Sequence, residues 1–411
     1  MASTTISTTR PAALALVLLL GLAVLLNYVD RGAIAIAAPL LKPELGLSAT
    51  EFGIAVSAFF WVYAPIQYFV GWACDRWCVY RLLAAGIALW AVSTMLMGLA
   101  GGLVALIVLR LLLGLGESIT FPGASKVIAR HVQPEQRGLA NSAVAIGIAL
   151  GPVIGTLAGG LIVANYGWRP MFVIFGALTL IWVVPWLASA RRLPSFSSVS
   201  GEERVPVGQI LRQPVLWSMG VAHFCATYGL YFVVTWLPLY LVQSRGFTIE
   251  DMSYLLTIGF LAQAVSAFLL GWGSDRWTRS GRDEGKCRRW MMITASLVSM
   301  VGIVGLMEAH TSEAIAISLI LVGASAAAGG VNLYAVAQMF CPPKACGSFI
   351  GIQNATGNLS GIVMPVITGI IIDITGRYDA AFLLTAAIFL LGAIWWLVVV
   401  PPIKQIAFDR A

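Results

Sequence analysis

Charge is scarce in this chain: Asp, Glu, Lys and Arg make up 10% of its 411 residues, against about a quarter in a soluble globular protein. Histidine is scarcer, with three residues, His131, His223 and His310. There is no His-x-x-x-His pair and no glycine-rich nucleotide loop, so the usual residue sets of a metallohydrolase or a nucleotide enzyme are missing. Cysteine is sparse too: Cys74, Cys78, Cys225, Cys287, Cys341 and Cys346. Cys74 and Cys78 have no histidine nearby, and read as small apolar filler rather than metal ligands. Free thiols, no metal, no cofactor and no catalytic residue set are expected.

Apolar side chains fill that gap. They make up 59% of the chain, more than one water-soluble core can hide, so lipid must serve as solvent. A span needs about 20 apolar residues, and its backbone must be paired internally, which makes each long run a helix. Twelve runs qualify: 12–40, 51–73, 81–100, 103–127, 138–163, 168–190, 214–242, 251–273, 289–309, 313–339, 346–372 and 379–400. The start MASTTISTTR is polar, and the run after it is too long for a cleaved leader.

The expected architecture is an all-α membrane protein of twelve transmembrane helices in two six-helix bundles. Residues 1–11 form a cytosolic tail, 12–190 the first bundle, 191–213 a cytosolic central loop containing SARRLPSFSSVSGEERVP, 214–400 the second bundle and 401–411 a second cytosolic tail. With both ends cytosolic, 19 of 25 basic residues fall in cytosolic tails and loops, as the positive-inside rule demands. Lys42, Arg169, Arg245 and Arg377 are left outside, and Arg31 and Arg110 lie within spans. The formal charge of +7 therefore tracks a membrane side. No nucleic-acid partner is expected.

The chain repeats itself at an offset of two hundred residues. GWACDRW at 71–77 returns as GWGSDRW at 271–277. Tyr28 answers Tyr228, Gly46 Gly246, Ser48 Thr248, Glu51 Asp251 and Phe60 Phe260. Six spans plus six keep one orientation, so the halves are parallel repeats related by pseudo-symmetry about the membrane normal.

Gly71, Asp75, Arg76 and Arg81 match a loop signature, G-x-x-x-D-R-x-G-x-x-R, of the major facilitator superfamily, which the whole chain resembles; Cys78 stands where that pattern has glycine. NYVDRGAIAIAAP (27–39), RLLLGLGESITFPG (110–123), YGLYFVVTWLPLYL (228–241) and GIQNATGNLSGIVMPVITG (351–369) resemble its anion:cation symporter family. That family includes bacterial carriers of galactonate, glucarate and hexuronates, animal sialin, the vesicular glutamate transporters and some phosphate transporters. The resemblance implies the major facilitator fold, a multi-pass bacterial inner-membrane location and proton-coupled uptake of a small organic anion. It also implies that Gly71, Asp75, Arg76 and Arg81, with Asp275 and Arg276, latch the cytosolic side.

Four charges lie inside predicted spans: Asp30, Arg31, Arg110 and Glu117. Each costs about 2.5–3.5 kcal/mol at mid-bilayer on insertion scales. Two structural ion pairs would be the plain explanation, but a buried pair rarely gains net stability over apolar packing. The functional reading has them face a water-filled cavity. Arg110 and Glu117 are seven apart, two turns along one helix, and at about 10 Å axial separation need a relay or a shared partner from the first span. Arg31 is expected to take the substrate carboxylate, since a guanidinium fork matches it bidentately. Glu117 is the expected proton carrier, with Asp30 second and Arg110 beside them. Burial and a neighbouring cation act oppositely on a carboxylic acid, so an anion that neutralises Arg31 favours proton uptake nearby, and the coupling is reciprocal.

Polar groups at helical spacing complete the candidate lining. Asn27 and Tyr28 precede Arg31; Tyr63 and Gln67 share a face, as do Tyr228 and Tyr231, and Asn354 and Asn358. Hydroxyls and amides suit a polyhydroxylated anion, though each can also be an interhelical hydrogen bond. His223 reads as structural. Pro39, Pro65, Pro122, Pro152, Pro238 and Pro365 are expected to interrupt or end helices. GIALGPVIGTLAGG (147–160) resembles a glycine-proline motif of antiporters, or is a close-packing seam. Ile148 sits where the resemblance implies a polar residue in some sugar-acid carriers, which leaves aromatic and less hydroxylated acids open. The expectation is a monomeric proton symporter of an organic anion, a sugar acid first, acting by alternating access; another carboxylate, or anion exchange, is the alternative. A membrane enzyme lacks its residue set here, a channel does not need duplicated bundles with buried acid and base, and a receptor would carry a soluble domain.

Overall fold

The computed structural model describes residues 10–132, 137–191 and 205–406. Among them every regular element is a helix. The first eight are α1 (Arg10–Arg31), α2 (Ala33–Glu44), α3 (Ala49–Arg76), α4 (Val79–Met97), α5 (Leu103–Glu117), α6 (Thr120–His131), α7 (Arg137–Tyr166) and α8 (Trp168–Ala190). After them come α9 (Val207–Leu211), α10 (Pro214–Gln243), α11 (Ile249–Arg279), α12 (Glu284–Glu308), α13 (Ser312–Phe340), α14 (Pro343–Asn358), α15 (Ser360–Thr375) and α16 (Asp379–Val398). They make 12 segments long and apolar enough to cross a membrane, as the composition requires. Side chains such as Leu18, Ile181, Phe268 and Ile374 stay exposed, as lipid-facing positions must.

Three spans are each built of two helices. α1 gives way to α2 at Gly32, α5 to α6 at Ser118–Ile119, and α14 to α15 at Leu359. The prolines do not mark these breaks in general. Pro39, Pro65, Pro152, Pro238 and Pro365 lie inside continuous helices, where neighbouring helices and polar groups can accommodate a freed carbonyl. Pro122, in the first turn of α6, is the one beside a break. It lacks the N–H that the Ser118 carbonyl would accept in a continuous helix, and the Ser118 hydroxyl donates back to the Leu115 carbonyl at 2.7 Å.

The chain divides into two compact units, Met1–Ser200 with Phe247–Ser253, and Gly201–Gly246 with Tyr254–Ala411. In the first, α1 packs chiefly on α7, α4 on α8 and α5, and α3 on α5. In the second, α10 packs on α14, α15 and α16, and α12 on α13 and α16. Each has its own aromatic core, with Trp90, Trp186 and Phe172 fully buried in one, and Trp236, Trp396 and Phe349 in the other. The central loop holds a short helix, α9, just before α10; residues 192–204 of that loop, and 1–9 and 407–411 of the tails, lie outside the described residues.

The repeat has a local physical meaning. Gly46 and Gly246 both adopt left-handed backbone, φ +62° and +73°, and end a helix before a sharp turn. Ser48 then accepts from the Glu51 amide while Glu51 reaches back to the Ser48 amide, a full capping box. Thr248 likewise accepts from the Asp251 amide at 3.0 Å. These caps start α3 and α11 each two residues before the expected apolar run.

The glycines of 147–160 form a seam. A Cβ on Gly147 would lie 2.6 Å from the Gly21 carbonyl oxygen, one on Gly151 2.4 Å from Tyr28 Cβ, and one on Gly155 2.8 Å from Val29 Cα. These glycines, four residues apart, form one face of α7 and let α1 approach backbone to backbone. The seam therefore holds the helix that carries Asn27, Tyr28 and Arg31. Gly151→Ala is expected to destabilise the protein by about 1–3 kcal/mol through overpacking. Gly330→Ala on α13, where a Cβ meets nothing within 4 Å, is expected to leave stability unchanged or raise it by up to about 1 kcal/mol. Unfolding in detergent measures both; equal midpoints for the two variants would refute the seam.

Candidate functional site

The stretch LLLGLGE at the end of α5 explains how a carboxylate is aimed. A Cβ on Gly114 would fall 2.4 Å from the Phe59 carbonyl oxygen, so α5 is pressed on α3 there. One on Gly116 would fall 2.6 Å from the Gly86 carbonyl oxygen, so α5 is pressed on α4 two residues later. With both sides of α5 against backbone, Glu117 is turned toward α1. It is fully buried, and Arg31 Nε donates to its Oε2 at 3.1 Å.

Arg31 is the half-open end of this pair: its side chain is 19% exposed, against 0% for Glu117. Its Nη2 donates to the Tyr63 hydroxyl at 2.9 Å. Its guanidinium carbon lies 5.0 Å from the ring centre of Tyr28, 5.6 Å from Phe59 and 4.9 Å from Tyr63, cation–π distances that hold a guanidinium without neutralising it. Phe59 stacks on Tyr63 at 4.9 Å and carries Arg110 at 5.2 Å. Asn27 is buried and close enough to Glu117 to act on its charge, although neither end of its amide meets hydrogen-bond geometry. Gln67, half-buried, follows Tyr63 by one turn of α3.

The four buried charges do not share one face, contrary to the spacing argument. Asp30, next to Arg31 in sequence, points into the packed interior. Its Oδ2 accepts from Trp90 Nε1 at 2.5 Å and from the Thr94 and Thr179 hydroxyls at 3.4 and 3.5 Å. Arg110 is 3% exposed and donates to the Val56 carbonyl at 3.0 Å. Neither lines open space. Neighbours on a helix diverge by about 100°, which suffices to send Asp30 to α4 and α8 while Arg31 meets α3 and α5. The partner that Glu117 requires does come from the first span, as expected; that of Arg110 does not. Phe59, Trp90, Thr94 and Thr179 were missed. Trp90 and Thr94, four apart in an otherwise apolar run, were the available signal.

The second unit holds a cluster of neutral polar groups. The Tyr231 hydroxyl donates to Asn358 Oδ1 at 2.7 Å. Asn358 Nδ2 donates to the Asn354 carbonyl at 2.8 Å and to Asn354 Oδ1 at 3.1 Å. Tyr334, also missed, donates to Asn354 Oδ1 at 2.8 Å. The Asn358 amide is thus engaged at both ends. His223 is buried with its ring 5.8 Å from Tyr334, edge to face. Tyr228 is buried against Phe224 rather than joined to this cluster.

Of the expected latch residues, Gly71 and Asp75 fall on helical backbone of α3, but their surroundings lie outside the described residues. Arg76 and Arg81 are exposed at the end of α3 and the start of α4, and Asp275 and Arg276 near the end of α11. Cys78 caps α4 with φ −64°, so the turn needs no glycine there. All six cysteines are free thiols.

The sequence pattern of the family described as "Major Facilitator Superfamily" matches residues 20–283 and 251–408. The chain is 31% identical to the hexuronate transporter of Bacillus subtilis (strain 168), over 91% of this chain and 92% of that protein. It is 28% identical to that organism's protein named "Probable galactarate/D-glucarate transporter", over 96% and 93%. A bacterial homologue of the human lysosomal transporter Spinster, solved in an inward-facing and unoccupied conformation, superposes with a TM-score of 0.81, covering 96% of this chain and 98% of that one at 16% identity. At that identity the likeness speaks for the fold.

The pair makes a thermodynamic prediction. Arg31→Met leaves Glu117 buried without its partner and is expected to cost about 3 kcal/mol; Arg31→Met with Glu117→Leu is expected to regain most of it. Unfolding in mixed micelles reads the cycle. A double variant no more stable than the single one would show that the two side chains are not coupled.

Proposed function

Because the chain belongs to the Major Facilitator Superfamily, we propose that it is a proton-coupled importer of an organic anion, a sugar acid first among the candidates. The observation that carries this reading is the Arg31–Glu117 pair, 3.1 Å long, with the cation partly open and the acid closed off. A substrate carboxylate reaches Arg31 first and competes with Glu117 for its guanidinium. A carboxylate that loses its partner in a buried site is costly unless it takes a proton. Substrate and proton therefore bind together and leave together, and the coupling acts equally in both directions. Tyr28 and Tyr63, beside Arg31, are placed to meet substrate hydroxyls once Tyr63 is released.

Asp30, hydrogen-bonded to Trp90 and out of reach of open space, is assigned a supporting role, and Arg110 sets the local field. The relatives' names, hexuronate and galactarate/D-glucarate transporter, support the sugar-acid class. Ile148 keeps less hydroxylated acids as the alternative. The glycine stretch of α7 is taken up in packing against α1 and gives an exchanger no separate support. The same reading puts a monomer in a bacterial inner membrane, both termini cytosolic, working by alternating access.

Glu117→Gln is expected to abolish proton-driven accumulation of D-glucuronate in proteoliposomes while retaining counterflow; Arg31→Ala is expected to lose both. Full proton-driven accumulation by the Gln variant would remove Glu117 from the coupling.

A further inference from the structure

We propose that the second unit carries an additional binding site, for a hydroxylated carboxylate, in the cavity framed by the ends of α10 and α12 and the start of α16. The cavity measures about 570 Å³ and is lined by Tyr240, Arg245, Glu308, His310, Tyr378 and Asp379 among others. That volume is within the range of small-molecule sites, about 300–1,000 Å³. None of these residues takes part in the Arg31–Glu117 site.

Arg245 is the anchor. Nε donates to the Tyr240 hydroxyl at 2.5 Å, Nη1 to His310 Nδ1 at 3.0 Å, and Nη2 to the Met307 carbonyl. The guanidinium carbon lies 5.3 Å from the Tyr240 ring centre. A guanidinium has five N–H groups and no acceptor, so three tethers fix its plane and leave two N–H groups for a carboxylate. Because Arg245 can only donate, His310 Nδ1 accepts, which assigns the imidazole proton to Nε2. Tethering in advance removes much of the ordering cost of binding.

The acids in the same wall set the rest of the ligand. Glu308 is exposed there, and no hydrogen bond to its side chain occurs among the described residues. Asp379 is paired with Arg377. An ionised carboxylate only accepts, so Glu308 calls for hydroxyl donors. A plain fatty acid would satisfy Arg245 and leave Glu308 unmet. A neutral sugar would do the reverse. A sugar acid meets both.

Two further observations set this cavity apart from generic helix ends. At the corresponding end of the first unit, Glu44 is clasped by Arg169 at 3.0 Å and by Trp168 Nε1 at 2.6 Å, and Arg169 also donates to the Gly98 and Ala100 carbonyls. There Glu44 and Arg169 close on each other; in the second unit Arg377 and Asp379 also pair, while Arg245 and Glu308 stand on the cavity wall. The charge distribution also assigns Arg245 and Arg377 to the outer side, where only four of 25 basic residues fall. Arg169 is accounted for by Glu44, whereas Arg245 has no carboxylate partner among the described residues. The ligand class rests on the sugar-acid reading above, and the position of the cavity does not.

The test is calorimetric titration of D-glucuronate into the full chain in nanodiscs, as wild type and as Arg31→Ala. The expected result is saturable binding that persists in Arg31→Ala and weakens at least about ten-fold on adding either Arg245→Gln or Glu308→Gln, the size of one lost charge-assisted contact. Glu308→Gln removes no hydrogen bond seen among the described residues, so it keeps the test decisive if Arg245→Gln fails to fold. D-Glucose and hexanoate are expected not to bind Arg31→Ala. Absence of residual binding in Arg31→Ala, residual binding indifferent to Glu308→Gln, or hexanoate binding as tight as D-glucuronate overturns the second site. Identical isotherms for wild type and Arg31→Ala, both weakened by Glu308→Gln, overturn the role of Arg31 and uphold the second site.

Discussion

A buried carboxylate and a half-buried guanidinium at 3.1 Å set the terms for the whole first unit. Neither could be held alone among apolar helices. Three elements are therefore brought to one point: α1 supplies the cation, α5 the acid, α3 the tyrosine that takes a second guanidinium N–H. The glycines at 114 and 116 press α5 onto two neighbours. The aromatic rings of Tyr28, Phe59 and Tyr63 surround the cation without cancelling it. The pair can be replaced only by something that satisfies both partners at once: an anion for Arg31 and a proton for Glu117. Under the proposed function, coupled transport reduces to that exchange of partners.

The two units contribute different chemistry. The first closes an acid and a cation on each other inside its helices, at Glu117 and Arg31. The second presents hydroxyls and amides already engaged with one another, from Tyr231 through Asn358 and Asn354 to Tyr334. A ligand that uses Asn358 must replace hydrogen bonds rather than add them, and only a ligand with hydroxyls at matching positions does so without loss. Under the proposed function, Arg31 asks only for a carboxylate.

The sequence was informative where local chemistry acts alone. The twelve spans follow from apolar runs, and the repeat at Gly46/Gly246 and Ser48/Thr248 is the recurrence of one helix stop and one helix cap. Arg31 and Glu117 stood out because charge in a span is costly. Pro122 pointed to the break at Ser118–Ile119, but those at Gly32 and Leu359 were not legible, since Pro39, Pro65, Pro152, Pro238 and Pro365 all lie in continuous helix. Nor was the divergence of Asp30 from Arg31: spacing along one helix fixes their angle, but only the positions of α3, α4, α5 and α8 decide which direction is core and which is open. Trp90 belonged to a run that read as plain hydrocarbon until its indole N–H was seen on Asp30.

The seam between α1 and α7 has a mechanical consequence. Side-chain interfaces can yield by changing rotamers, so one helix can shift while its neighbour stays. A contact of glycine backbone against backbone, at Gly147, Gly151 and Gly155, has no rotamers to change. α1 and α7 are geared together, and any displacement that carries Arg31 away from Glu117 drags a second, 30-residue helix with it. Opening one ion pair is then a movement of a lever rather than of a side chain.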